Sequence, residues 1–223
     1  MTYNIIQQNR KTMAICVDEE GNVIVKVPKY LPKSEINKFI VKNETWIKNR
    51  LQNQALAAQN NDWRITNKIL YLGEYRTICI KPQVHYKGKA MVVDNELIIE
   101  PSIGDTSLDI KLLIENLYRQ EAHKILTELT EEYAALVGVK YTRITIRKQK
   151  TRWGSCSSKG NLSYNVKILC APTEMIEYIV LHEVMHLKYF NHGSLFWKEI
   201  EEVMPDYKKR MNYFKQFGQN FRI

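Results

Sequence analysis

The segment His182-Glu183-Val184-Met185-His186 carries the spacing H-E-x-x-H. On a helix, residues four apart are turned by only ~40° about the axis, so both imidazoles leave one face about a turn apart. That spacing lets two nitrogens meet one Zn²⁺ at ~2.0–2.1 Å and sets Glu183 beside the ion, placed to take a proton from bound water. The neighbours Ile176, Ile179, Val180, Leu181, Val184, Met185 and Leu187 are apolar. Burying two histidines and a glutamate among them without partners is unfavourable, which counts against packed core histidines as the explanation. Three of the five histidines, His182, His186 and His192, fall within eleven residues. Asn191-His192-Gly193 has the composition of a helix stop, so the chain can turn back and present His192 as a third ligand. Three protein ligands leave a fourth position for water, the catalytic pattern. The expectation is a zinc-type site, with other divalent transition metals as alternatives, held by His182, His186 and His192 with Glu183 as base.

A scaffold for these groups is legible in the periodicity. Pro172 and Thr173 open an apolar helix through about Phe190, with Thr173 as N-cap and Glu174 in the first turn, where the dipole favours it. An amphipathic helix is expected from about Leu108 to Val137, stopped by Gly138. Strands are expected at Arg143–Arg147 and Leu162–Leu169, and further helices at Ser194–Met204 and Asp206–Gly218. Upstream, Lys11 to Lys29 alternates as a β-hairpin turning at Gly21, and Ser34 caps a helical segment reaching Leu51. Asn53 to Asp62 has the polar composition of a frayed helix end or linker. Short strands follow at Lys68–Leu72, Thr77–Ile80, Met91–Val93 and Leu97–Ile99, the last two joined at Asp94-Asn95. The expected class is α+β, with an N-terminal β-rich and helical part over 1–101. Residues 102–223 form the catalytic part, a small antiparallel sheet packed on the long helix and the catalytic helix.

Composition narrows the setting. With 44% hydrophobic and 26% charged residues the chain has an ordinary globular composition, and 33 Lys+Arg against 24 Asp+Glu give it a net charge of +9. An anionic partner is one reading of that excess; a basic, Lys- and Asn-rich background composition is the other. Cys16, Cys79, Cys156 and Cys170 lie far apart with no C-x-x-C pair, which fits reduced thiols and neither a cysteine zinc site nor a disulfide framework. The first ten residues lack the apolar core of a secretory signal, and no run approaches the ~18–20 apolar residues of a membrane span. The expectation is a cytoplasmic protein with no membrane association; oligomeric state is not legible.

The chain resembles the YgjP-like metallopeptidase-domain proteins, relatives in their catalytic core of SprT-like and minigluzincin zinc proteases. The likeness is carried by Arg152-Trp153-Gly154-Ser155-Cys156, Asn165, Ala171-Pro172, His182-Glu183-x-x-His186, His192, Phe196-Trp197 and Pro205. Weaker matches are Trp46-Ile47, Tyr118-Arg119 and Ala122. Leu117, where many relatives carry an aromatic residue, and Gln59 to Lys68 depart from the pattern. The resemblance implies a zincin-like fold for the catalytic part, metal ligation by the three histidines and Glu183 as base. Its Arg-Trp-Gly-Ser-Cys segment singles out Arg152 among the five cations Arg147, Lys148, Lys150, Arg152 and Lys159. A guanidinium beside a metal can neutralise a developing oxyanion or grip phosphate oxygens, whereas Lys148, Lys150 and Lys159 read as a solvated edge. Trp153 and Trp197 read as core or pocket wall, and Cys156 as structural.

Three functions compete. Peptide hydrolysis is favoured by the H-E-x-x-H helix and by a strand at Asn161–Leu169 whose edge would pair an extended peptide. Hydrolysis of a nucleoside triphosphate, such as UTP, to monophosphate and pyrophosphate is implied by the resemblance to some family members and fits the basic charge. The chain has no P-loop and no acidic Mg²⁺ cluster, so phosphate binding would rest on Arg/Lys and metal. A nucleic-acid-binding module without catalysis is third, and the intact His182, Glu183, His186 and His192 count against it.

Overall fold

The computed structural model describes residues 3–17, 21–81, 88–102 and 107–223. The chain divides into two compact units, Met1–Asn60 and Asn61–Ile223. The first contains β1 (Tyr3–Gln8), β2 (Ala14–Val17), β3 (Val23–Pro28), α1 (Lys33–Lys42) and most of α2 (Glu44–Asn61). Val23, Val25 and Val27 alternate inward from the central strand β3 and pack with Ile36, Ile40 and Ile47 of the helices. β2 and β3 pair antiparallel with Ile15 opposite Val25, as the alternation predicts; Glu20 of the expected turn lies outside the described residues. The polar strand β1, whose sequence has no strand period, adds in parallel to β3. The expected helix from Ser34 begins one residue earlier, after Pro32, without a side-chain cap. It breaks at Asn43, whose N–H bonds Ile40 O at 3.0 Å and whose Nδ2 bonds Phe39 O at 2.8 Å. Helix α2 then runs through Asn61, across the segment expected to fray.

The second unit opens with α3 (Trp63–Thr66) and a four-stranded sheet in the order β4-β5-β7-β6, formed by β4 (Lys68–Tyr71), β5 (Glu74–Ile80), β6 (Lys89–Val93) and β7 (Glu96–Glu100). The division at Asn60 falls well ahead of the boundary expected at residue 101. The reason is shared burial: Ile69, Tyr71, Ile78, Leu97 and Ile99 of this sheet lie in one core with Ile114, Tyr118 and Leu126 of α4 (Ser107–Val137) and Ile176 of α5 (Thr173–Met185). Gly138, with φ +74°, ends α4 as expected. Tyr118 donates to Leu70 O at 2.7 Å and Arg119 to Ile146 O at 3.1 Å, so α4 ties the larger sheet to the smaller one.

The smaller sheet has the order β8-β10-β9, from β8 (Arg143–Arg147), β9 (Gly154–Cys156) and β10 (Asn161–Asn165). It is mixed rather than antiparallel, because β10 runs parallel to β8 and antiparallel to β9. The strand expected to reach Leu169 stops at Asn165, whose side chain accepts from Lys167 N at 3.2 Å and starts a 3₁₀ turn over Val166–Cys170. Asn165 also reaches the loop before β9: its Nδ2 donates to Gln149 O at 2.8 Å and Arg152 O at 2.9 Å, and its N–H to Trp153 O at 2.8 Å. Pro172 rather than Thr173 is the N-cap of α5, its carbonyl accepting from Met175 and Ile176. The helix ends at Met185 instead of Phe190, with His186 as C-cap. Helices α6 (Ser194–Val203) and α7 (Tyr207–Phe217) close the unit. Among the described residues no helix is long and apolar enough to cross a membrane.

Asn165→Ala removes both donors from the carbonyls of Gln149 and Arg152. The expected cost is about 1–3 kcal/mol, a melting temperature lower by roughly 3–10 °C. Thermal unfolding checks this, and an unchanged melting temperature would show that the loop holds itself.

Candidate metal centre

Helix α5 carries Glu183 and His182, and its C-cap is His186. Past Met185 the backbone tightens, with Lys188 N and Tyr189 N both bonding Met185 O at 3.0 and 2.9 Å, and the chain turns back before α6. This return puts His192 Nε2 at 3.1 Å from His182 Nε2. The side-chain nitrogens of His182, His186 and His192 lie within 4.8 Å of one another, so the structure brings together the three histidines singled out by spacing.

Aromatic packing sets the rings. Phe196, fully buried on α6, has its ring centroid 5.1 Å from His182 and 4.8 Å from both His186 and His192. Trp197 stacks on His192 at 5.6 Å and on Tyr207 at 5.5 Å and packs against the core, the first of its two expected places. Trp153 lies in the core against Phe214 and Phe221. The carbonyl of Tyr189 accepts from His186 Nδ1 at 3.0 Å, which requires a proton on Nδ1, so Nε2 is the ring nitrogen left to meet a metal. The turn that presents this carbonyl is pinned to α6: Tyr189 Oη donates to Glu199, and Lys188 Nζ reaches both Glu199 oxygens at 2.8 Å. No side-chain pattern announces a backbone carbonyl, so this partner is not legible in the sequence.

The electrostatics suit a metal. Burial, then the neighbouring His186 and His192, push His182 down to about 3, and burial lowers His192 too. Neutral imidazoles are what a divalent transition metal takes as ligands. Two nitrogens sharing a tetrahedral ion at ~2.0–2.1 Å stand ~3.3 Å apart, close to the His182–His192 separation. The three residues therefore fit one ion.

Glu183 is 6% exposed, and among the described residues its Oε2 has no hydrogen-bond partner. Burial pushes its carboxyl up to about 8, against the opposing charge of Arg152. With the histidines it floors a pocket of about 310 Å³ that has β9 as one wall and Arg152 and Phe190 among its lining. Phe190, 68% exposed, was not expected there; it lies in the turn that replaces the last part of the expected helix. Cys156 also lines the pocket, but burial and the nearby Glu183 push its thiol up to about 11, which keeps it a neutral wall group. Of the cation cluster, Arg152 alone lines the pocket, whereas Lys148 pairs with Glu115 at 2.7 Å.

A family model described as YgjP-like, metallopeptidase domain, matches residues 11–217. The chain belongs to the YgjP-like family. Membership places this YgjP-like chain among metallopeptidase-type hydrolases and implies a metal cofactor, in keeping with the histidine cluster. Among solved structures the chain is similar to the metallopeptidase zymogen abylysin of Pyrococcus abyssi, at 26% identity and a TM-score of 0.39, covering 44% of this chain and 99% of that one. It is also similar to the zymogen jannalysin of Methanocaldococcus jannaschii, at 22% identity and a TM-score of 0.37, covering 41% and 88%. No curated protein matches the chain.

An ion bound only by the folded protein raises its stability, by ~2.7 kcal/mol at a hundredfold excess over Kd, or ~5–10 °C in a chain of this size. Zn²⁺ should produce such a shift in the metal-stripped wild-type protein. His182→Ala, His186→Ala and His192→Ala should each abolish most of it, and a variant keeping the full shift would remove its residue from the ligand set.

Proposed function

We propose that the chain is a zinc-dependent metallopeptidase whose zincin-like catalytic machinery lies within residues 102–223. The observation that carries this reading is the convergence of three imidazoles within 4.8 Å beside a buried glutamate, whose Oε2 has no hydrogen-bond partner among the described residues, at the floor of one pocket. His182, His186 and His192 would hold the ion, which when bound supplies a Lewis acid that activates water near neutral pH. Glu183 takes the proton from the attacking water and returns it to the leaving amine. Burial raises its proton affinity, and the charge of a bound ion would oppose that rise and keep the carboxylate free to accept. Arg152, at the pocket, opposes charge that develops on the substrate carbonyl oxygen.

A peptide is the substrate that the pocket wall suits. The edge strand at the pocket is β9 and not the expected Asn161–Leu169, because β10 is sandwiched between β8 and β9. Ser155 lies opposite Ser163, and the flanking bonds Asn165 N–Trp153 O and Ser157 N–Asn161 O fix the alternation of the ladder. The backbone groups of Gly154 and Cys156 therefore point away from β10, as an added antiparallel strand requires. The nucleotide reading rests on Arg152, the one Lys or Arg among the pocket-lining residues, together with the metal.

Incubating the zinc-loaded protein with a peptide library and with nucleoside triphosphates in parallel separates the two: cleaved peptides with intact triphosphates are expected, and pyrophosphate release alone would replace the peptidase reading. Glu183→Gln should keep the metal and lose at least ~10²-fold in turnover, the scale of a missing general base. Near wild-type turnover would move the base elsewhere. Arg152→Lys keeps the charge but not the planar two-pronged grip, so kcat/KM should fall by roughly tenfold or more at an unchanged melting temperature. If Arg152 instead braces the loop before β9, stability and activity fall together, and kinetics paired with a melting curve tell these apart.

A further inference from the structure

Gly154 sits in β9 opposite Tyr164, in extended backbone that any residue can adopt. Its lack of a side chain is a matter of space. A Cβ at this position would lie 2.5 Å from Glu183 Cγ, 2.7 Å from Oε1 and 2.8 Å from Cδ. Non-bonded carbon atoms rest ~3.5–4.0 Å apart, so no rotation of Cβ hydrogens absorbs this overlap. The Glu183 side chain occupies the volume that every other residue at 154 would fill.

Neither backbone is free to retreat. On one side, Trp153 is wedged between Phe214 and Phe221 with its ring against Gly218, and its carbonyl is held by Asn165 N at 2.8 Å. On the other, α5 is anchored by Ile179, Val180, Val184 and Met185, all in the core. Overlap at 154 would thus be relieved by displacing the Glu183 side chain.

We infer that Gly154 is a positioning residue: the missing side chain forms a slot in the strand that fixes the Glu183 carboxyl beside the three histidines. The slot gives a buried carboxyl, whose Oε2 has no hydrogen-bond partner among the described residues, a defined place by shape, which a larger residue would not supply. The catalytic consequence rests on the peptidase reading above, whereas the packing consequence does not.

A double-mutant cycle tests it on metal-free protein. Gly154→Ala in the wild-type background should lower the melting temperature by about 4 °C or more, the scale of an overpacked site. In the Glu183→Ala background, where all three crowded atoms are gone, the same change should shift it by less than about 1 °C. An unchanged melting temperature in the wild-type background, or equal losses in both, would overturn the slot. If Gly154→Ala fails to fold, the Gly154→Ala/Glu183→Ala double variant should fold, and its failure would likewise count against the proposal. For kinetics, Gly154→Ala should bind Zn²⁺ with unchanged stoichiometry, keep KM, and lose about 10²-fold in kcat, the cost of a misplaced catalytic group of order 1 Å. Wild-type kcat would overturn the positioning role. A wild-type chain that cleaves no peptide removes the function reading and leaves the thermal cycle to decide the slot.

Discussion

Setting a carboxyl and two imidazoles on the buried side of an apolar helix is the constraint to which the rest of the C-terminal unit answers. Glu183 and His182 lose hydration there, and the direction of their shifts shows it: Glu183 is pushed up and His182 down, both first of all by burial. Such an arrangement is stable only if the surroundings fix the groups and if they share something that water no longer supplies. Three nitrogens drawn within 4.8 Å satisfy the second condition for a cation, and packing satisfies the first.

The support is arranged in successive contacts. Phe196 lies under all three imidazoles, Trp197 covers His192, and the Tyr189 carbonyl fixes the tautomer of His186. Behind these, Glu199 ties the Lys188–Tyr189 turn to α6, so one helix supplies both the aromatic floor and the anchor. Across the pocket, Asn165 plays the corresponding part for β9, gripping the loop from Gln149 to Trp153 through three hydrogen bonds. Aromatic packing around the imidazoles and a strand held by Asn165 give the pocket a fixed shape.

In the proposed peptidase the same sheet couples architecture to substrate choice. A central β10 leaves β9 as the strand on the pocket side, and its outward backbone groups offer recognition that does not depend on peptide sequence. Under that proposal, side-chain selectivity falls to what lines the pocket, chiefly the cationic Arg152 and the apolar Phe190. The remaining basic residues of this region, such as the Glu115-paired Lys148, belong to the solvated surface, so net charge says less about the reaction than one placed guanidinium.

By itself the sequence determined the histidine cluster, the glutamate beside it and the helix that carries His182 and Glu183, because these depend on spacing within a few residues: four residues from His182 to His186, and a stop that turns the chain back at His192. It also specified α4 with its Gly138 end and the Val23–Val27 strand, where a strong period leaves little choice. Long-range contact decided the rest. That β10 ends at Asn165, that β9 forms the edge, and that strands β4–β7 share a core with α4 and α5 all follow from which surfaces meet across the chain. Gly154 shows the difference most plainly: its identity is visible in the sequence, but its reason is the Glu183 carboxyl 2.7 Å from where a side chain would begin, an approach made only when the strand folds against the helix.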